Sequence, residues 1–289
     1  YIAQHPQSTR LWALYVARGD EYYDNGDLDK ARLDYDAALA INPKDAETLN
    51  NRGTVWCRKG DLEKALKDFD AALVVNPEYS DVFYNRGAVW RAKGDIEKAL
   101  RDYDAALAIN PEYAEALNNR GLVWRAKGDI EKALKDFDAA LAINPGFAEV
   151  LANRGTVWRA KGDVDKALKD YDAALALNPK DADAFYNRGL VWHDKGDLDK
   201  ALSDYDAALA LNPEFAEALN NRGILWKEKG DLDKALSDYD AALALNPEIA
   251  EAFAIRGIIW TEKGDMDKAL ADYNKALSIE PDLATVLVR

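Results

Sequence analysis

Pro43, Pro77, Pro111, Pro145, Pro179, Pro213, Pro247 and Pro281 follow one another at intervals of 34 residues without a slip. A chain of 289 residues has room for two ordinary domains or one elongated array, and so strict a period leaves only the array. In such an array no unit covers its own apolar sides, so neighbours stack.

The second unit, running from Ala46 to Tyr79, shows the internal plan. Gly60-Asp61 separates two amphipathic stretches. In the second, Leu62, Ala65, Leu66, Phe69, Ala72 and Leu73 fall on one helical face, with Asp61 placed as N-cap and Asn76-Pro77 as the stop. In the first, Leu49, Gly53 and Trp56 share a face. Each unit is therefore expected to be a helix–turn–helix hairpin. The expected layout is a lead-in at 1–11, then eight repeats at 12–45, 46–79, 80–113, 114–147, 148–181, 182–215, 216–249 and 250–283, with 284–289 opening an unfinished ninth helix.

These residues resemble the tetratricopeptide repeats. Leu219, Gly223, Ala235, Tyr239, Ala242 and Pro247 occupy that family's signature spacings, and the period is the family's own. Trp stands where the family usually has Tyr, from Trp56 through Trp260, and only the first repeat keeps Tyr22. The resemblance implies an all-α, right-handed superhelical solenoid whose first helices line a concave peptide-binding surface.

Asn-Arg-Gly recurs at 51–53, 85–87, 119–121, 153–155, 187–189 and 221–223, and its members divide between scaffold and groove. At 100° per residue Arg120 projects beside Leu117 and Trp124, on the packed side. There it is expected to stack on Trp and to pair with acids of the second helix, such as Asp136 and Asp138. A mid-helix glycine costs about 1 kcal/mol relative to alanine, which fits a close approach by Tyr or Phe of the second helix. The adhesion-like tripeptide Arg18-Gly19-Asp20 is this same Arg-Gly pair.

Asn51, Asn85, Asn119, Asn153, Asn187 and Asn221 point instead to the groove side. A carboxamide can pair with one peptide unit through both C=O and N–H, so these six could hold an extended backbone, as in the similar asparagine ladder of O-linked N-acetylglucosamine transferases. The other reading, that they bond to neighbouring repeats and set the twist, stays open. Around them stand acids at repeat position 2, among them Glu115 and Glu149, and bases at position 12, among them Arg91, Arg125 and Arg159. Tyr84 and Tyr186 add aromatic contact. The Lys of the terminal-carboxylate clamp found in chaperone-tail-binding relatives is missing at position 5.

The formal net charge of −14 opposes nucleic acid and anionic membranes as partners. The single cysteine, Cys57, excludes an internal disulfide framework and a cysteine-based zinc site. His5 and His193 are the only histidines, and no nucleophile has a base and an orienting acid beside it. The expectation is a non-enzymatic scaffold, without cofactor or metal, that binds a protein or peptide. A substrate-presenting arm of a larger enzyme and an end-to-end self-assembling solenoid are the alternatives. Compartment is unreadable, with cytoplasm as the default.

Overall fold

The computed structural model describes residues 6–282, so the start of the lead-in and the expected ninth helix at 284–289 lie outside the described residues. The described chain is all helix. First helices α1 (Pro6–Asp24), α3 (Ala46–Arg58), α5 (Ser80–Ala92), α7 (Ala114–Ala126), α9 (Ala148–Ala160), α11 (Ala182–Asp194), α13 (Ala216–Glu228) and α15 (Ala250–Glu262) alternate with second helices. These are α2 (Leu28–Ile41), α4 (Leu62–Val75), α6 (Ile96–Ile109), α8 (Ile130–Ile143), α10 (Val164–Leu177), α12 (Leu198–Leu211), α14 (Leu232–Leu245) and α16 (Met266–Ile279). Residues 6–11 of the expected lead-in are the first turns of α1.

The turn chemistry explains why the hairpins break where they do. Gly60 has φ +79°, a left-handed conformation that L residues rarely adopt, and it lets the Asp61 N–H reach back to the Trp56 carbonyl. Asp61 then caps α4, its carboxylate accepting from the Lys64 N–H. At the other end Asn76, forced out of the helical region by Pro77, sits at φ −128°, ψ 94° and accepts from the Glu78 N–H.

The capping aspartates give the chain a pH signature. Asp27, Asp61, Asp95, Asp129, Asp163, Asp197, Asp231 and Asp265 are all held below the usual carboxylate value, first by the lysine three residues on. A carboxylate with a depressed folded pKa stabilises fully above its unfolded value of 3.8 and loses that contribution as pH falls through the folded one. Thermal melts are therefore expected to show no loss from these groups down to about pH 5 and a decline below about pH 4. Asp129→Asn and Asp163→Asn, which keep a capping oxygen, would make that decline shallower. An onset of the loss near neutrality would contradict the assignment.

The chain forms two compact units, Tyr1–Val150 and Leu151–Arg289. In the first, one apolar cluster runs from Leu39 of α2 through Leu49, Phe69 and Ala72 to Val82 and Val89 of α5, so each hairpin closes its core only against its neighbours. In the second, Ala235, Leu236, Tyr239 and Leu243 of α14 pack with Ala252 and Ile259 of α15 in the same manner. Stacking is what buries these faces. Leu236 and Leu243 keep 7% exposure beneath α15, whereas Leu270 and Leu277 at the matching places of α16 keep 59% and 42%.

Candidate functional site

The repeated arginines sit behind the candidate surface and hold it in place. Arg120 forks onto Asp136 of its own second helix, with Nε to Oδ2 at 2.8 Å and Nη2 to Oδ1 at 2.7 Å. Its Nη1 donates to Asp104 of the preceding second helix at 2.7 Å. The second acid is thus Asp104 in place of the expected Asp138. Arg52 and Arg86 in the first unit, and Arg188, Arg222 and Arg256 in the second, repeat this three-helix clamp. The expected stacking of Arg on Trp is also corrected. Lysine covers the indoles, as Lys132 does 4.2 Å from the Trp124 centroid while binding Asp129, because the first turn of α8 returns beneath the end of α7. Where these arginines do lie over a ring, it is Phe83, Phe185 or Phe253, and for Arg18 it is Tyr15 and Tyr22.

With arginine committed there, the opposite sides of the first helices carry the candidate groups. Within the first unit α1, α3, α5 and α7 touch successively. The asparagines are half-buried, and the amide N–H groups of Asn51, Asn85, Asn119, Asn187 and Asn221 have internal acceptors. Asn51 donates to Asp20 at 3.1 Å, Asn85 to Asn50 at 2.9 Å, and Asn119 and Asn221 to the hydroxyls of Tyr84 and Tyr186 at 2.9 Å. Asn187 turns back to the Asp183 carbonyl at 2.8 Å, and Asn153 is half-buried on α9. Bonding between neighbouring repeats, the second of the two readings, is therefore present at Asn51, Asn85, Asn119 and Asn221. Each carboxamide nevertheless has a second N–H and an oxygen with two lone pairs.

Tyr84 is a point of convergence. Its ring packs against Tyr103 and Tyr113, at centroid distances of 6.2 and 5.0 Å. Burial chiefly raises its hydroxyl pKa, with Asn119 opposing and with Glu115, Glu149 and Arg91 acting through their charges, so four of the residues expected at the site surround it. Tyr186 repeats the arrangement with Tyr205, Phe215 and Asn221. Glu149 also accepts from Asn118 at 3.0 Å.

The basic file at position 12 divides in two. In the second unit Arg159 is held by Asp194 at 2.6 Å and His193 faces Glu228 at 3.3 Å, each partner lying 35 residues further on. In the first unit Arg91 and Arg125 have no ion-pair partner among the described residues, and Arg91 lies against the neutral Tyr103 hydroxyl. An open recess of about 330 Å³ lies among α1, α3, α5 and the start of α4, lined by Tyr23, Thr54, Cys57, Leu62, Ala88, Val89 and Ala92, with Arg58 and Asn85. Burial pushes the Cys57 thiol up to about 11, so at neutral pH it is a small uncharged group. Sequence reasoning missed this recess, although its signal was available: Ala88 stands where Leu122 and Leu190 stand in other repeats, and Cys57 where Arg91 and Arg125 do.

In each unit, stacked helical hairpins present a polar, partly charged side of their first helices, which is the build of a helical-repeat protein. The chain belongs to the tetratricopeptide-repeat family, whose model matches residues 16–81, 58–107, 84–146, 153–214, 194–239 and 227–284. Proteins of this family are typically protein–protein interaction scaffolds and are generally non-catalytic. No curated protein matches the sequence. Among solved structures, the chain is similar to a tetratricopeptide repeat protein from Parabacteroides merdae, at 23% identity and TM-score 0.65, over 90% of this chain and 99% of that one. It is also similar to a chain of the Cut9-Hcn1 hetero-tetramer, at 17% identity and TM-score 0.69, over 93% and 53%. A third similar structure is YrrB, described as a TPR protein with an unusual peptide-binding site, at 28% identity and TM-score 0.52, over 64% and 95%. No described helix is long and apolar enough to cross a membrane.

Proposed function

We propose that the first-helix face binds an extended segment of a partner protein, with the anchored asparagines as backbone rungs and the charged residues as selective walls. The observation that carries this reading is the pair of guanidinium groups without an acid, Arg91 and Arg125 of the first unit, where Arg159 and His193 at the same repeat position in the second unit are matched by internal acids. In a chain of net charge −14, two cations left without partners on one file favour an acidic stretch of ligand. Asn51, Asn85, Asn119, Asn153, Asn187 and Asn221 serve as rungs through the carboxamide groups that their internal bonds leave unused. Tyr84 and Tyr186 supply flat apolar contact, and Glu115 and Glu149 form the opposing wall. YrrB supports the reading at the level of class, as a similar protein with a peptide-binding site.

The experiment is selection of peptides from a random display library on the full chain, followed by affinity measurements at two salt concentrations. Arg91→Glu with Arg125→Glu is expected to weaken the selected peptides by tenfold or more, about 1.4 kcal/mol, chiefly through slower association at low salt. Their affinity is expected to drop as the roughly 10 Å screening length at 0.1 M shortens with added salt. Affinity that ignores both salt and charge reversal would remove the basic file from the site.

A further inference from the structure

The second unit contains a pattern of its own for what Arg91 lacks. Arg159 is closed by Asp194, and His193 lies opposite Glu228, each acid standing 35 residues beyond its base at the end of the next first helix. The residue in that place for Arg91 is Ala126. The buried Tyr103 hydroxyl, which has no acceptor for its proton, lies against the Arg91 guanidinium, so that cation is met by a neutral phenol and by no carboxylate. From position 9 Tyr35 donates to Asp20 and Tyr171 meets Thr156, whereas Tyr103, Tyr205 and Tyr239 have Ala88, Leu190 and Ile224 there and their hydroxyls are unmatched. The vacancy therefore rests on the guanidinium: Arg91 lacks the acid that Arg159 has in Asp194, and a charge-assisted pair calls for a carboxylate.

Ala88 also opens the recess shared with Cys57 and Ala92, one helix away from the Arg91 and Ala126 pair. Packed helices lie about 8–10 Å apart and an extended chain rises about 3.3 Å per residue, so the two places are about three residues apart along a bound strand. From these positions we infer that the first unit takes a peptide carrying an acidic side chain on Arg91 and, about three residues away, an aliphatic side chain in the recess beside Cys57. The inference rests on the peptide-binding reading above and specifies its ligand.

The test uses capped octapeptides with one Leu and one Glu three positions apart in a Ser/Gly background, in both orders, each with a Glu→Gln counterpart, titrated into the full chain and read by NMR line broadening. The Leu/Glu peptide in one order is expected to bind about tenfold more tightly than its Leu/Gln counterpart, as for a charge-assisted contact. Ala126→Asp, which provides Arg91 with the kind of acid that Asp194 gives Arg159, is expected to abolish that difference, and Ala126→Asn to preserve it. Ala88→Leu, the residue found at the matching place in Leu122 and Leu190, is expected to weaken both peptides. Ala126→Asp and Ala88→Leu use residues that other repeats already accommodate. Peptides that bind without distinguishing Glu from Gln, or that ignore Ala126→Asp or Ala88→Leu, overturn this inference and leave the groove reading in place. Failure of every peptide to bind, in either order, counts against both.

Discussion

Arg120→Ala is expected to destabilise the chain by about 3 kcal/mol while leaving ligand contacts on the first-helix face unchanged. Asp136 is 4% exposed and has its two carboxylate oxygens on Arg120. Removing the guanidinium leaves that charge in a site built for a fork, and an uncompensated buried charge costs several times more than a surface pair contributes. The bond to Asp104, whose side chain is 57% exposed, accounts for little of the total. Replacing the pair together, Arg120→Met with Asp136→Leu, is expected to recover most of the loss, because what costs stability is the orphaned carboxylate. Thermal and denaturant melts of the single and double variants decide this. A double variant no better than Arg120→Ala would show that the guanidinium acts mainly through packing.

Gly53→Ala is expected to cost about 3 kcal/mol, whereas Gly223→Ala at the matching place is expected to stay within about 1 kcal/mol of the parent. A Cβ on Gly53 would lie 2.5 Å from Cε1 and 2.8 Å from Cδ1 of Phe69, a wholly buried ring. That ring is fixed among Leu49, Leu66 and Val89 and cannot retreat without disturbing the cluster. At Gly223 the nearest atoms are Cζ and Cε1 of Tyr239 at 3.1 and 3.2 Å, a gap that a small tilt of the ring relieves. Alanine gains about 1 kcal/mol of helix propensity at both places, so steric contact decides the difference. Equal losses in melts of the two variants would contradict this account.

The fold was almost wholly legible in the sequence because its determinants are local and repeat. Gly60-Asp61 names a turn and a cap within two residues, and Asn76-Pro77 a stop. The glycine facing a second-helix ring at Gly53 and Phe69 could be anticipated because an unfavourable helix residue kept at one place requires a neighbour. Partners across the stack were harder to read. Position 7 placed Arg120 on the packed side, but the choice of Asp104 over Asp138 depends on how far one second helix is set back from the next, which no spacing within a repeat reveals. Lys132 reaches Trp124 because the turn folds α8 back under α7, again a three-dimensional fact.

The candidate site was legible as a set of files and not as a set of free groups. Periodicity put Asn119, Tyr84 and Arg91 on one side of the first helices, and the structure gathers them around the Tyr84 hydroxyl. It could not show that the Asn119 N–H is spent on Tyr84, or that Arg159 is neutralised by Asp194 while Arg91 is not. Those distinctions depend on which side chains meet between adjacent repeats. The most telling positions are therefore the ones that break the pattern, Cys57, Ala88 and Ala126, where small residues leave room and charge uncompensated.

The central claim is that partners lie along the first helices, and the most direct measurement is site-specific photocrosslinking. A photoreactive residue is placed at Glu115, exposed on α7, and separately at Lys135, exposed on the second helix α8, and each chain is irradiated with display-selected peptide. The account predicts crosslinks from position 115, competed by unlabelled peptide, and none above background from position 135. Crosslinks confined to position 135 would place the partner on the second helices and contradict it.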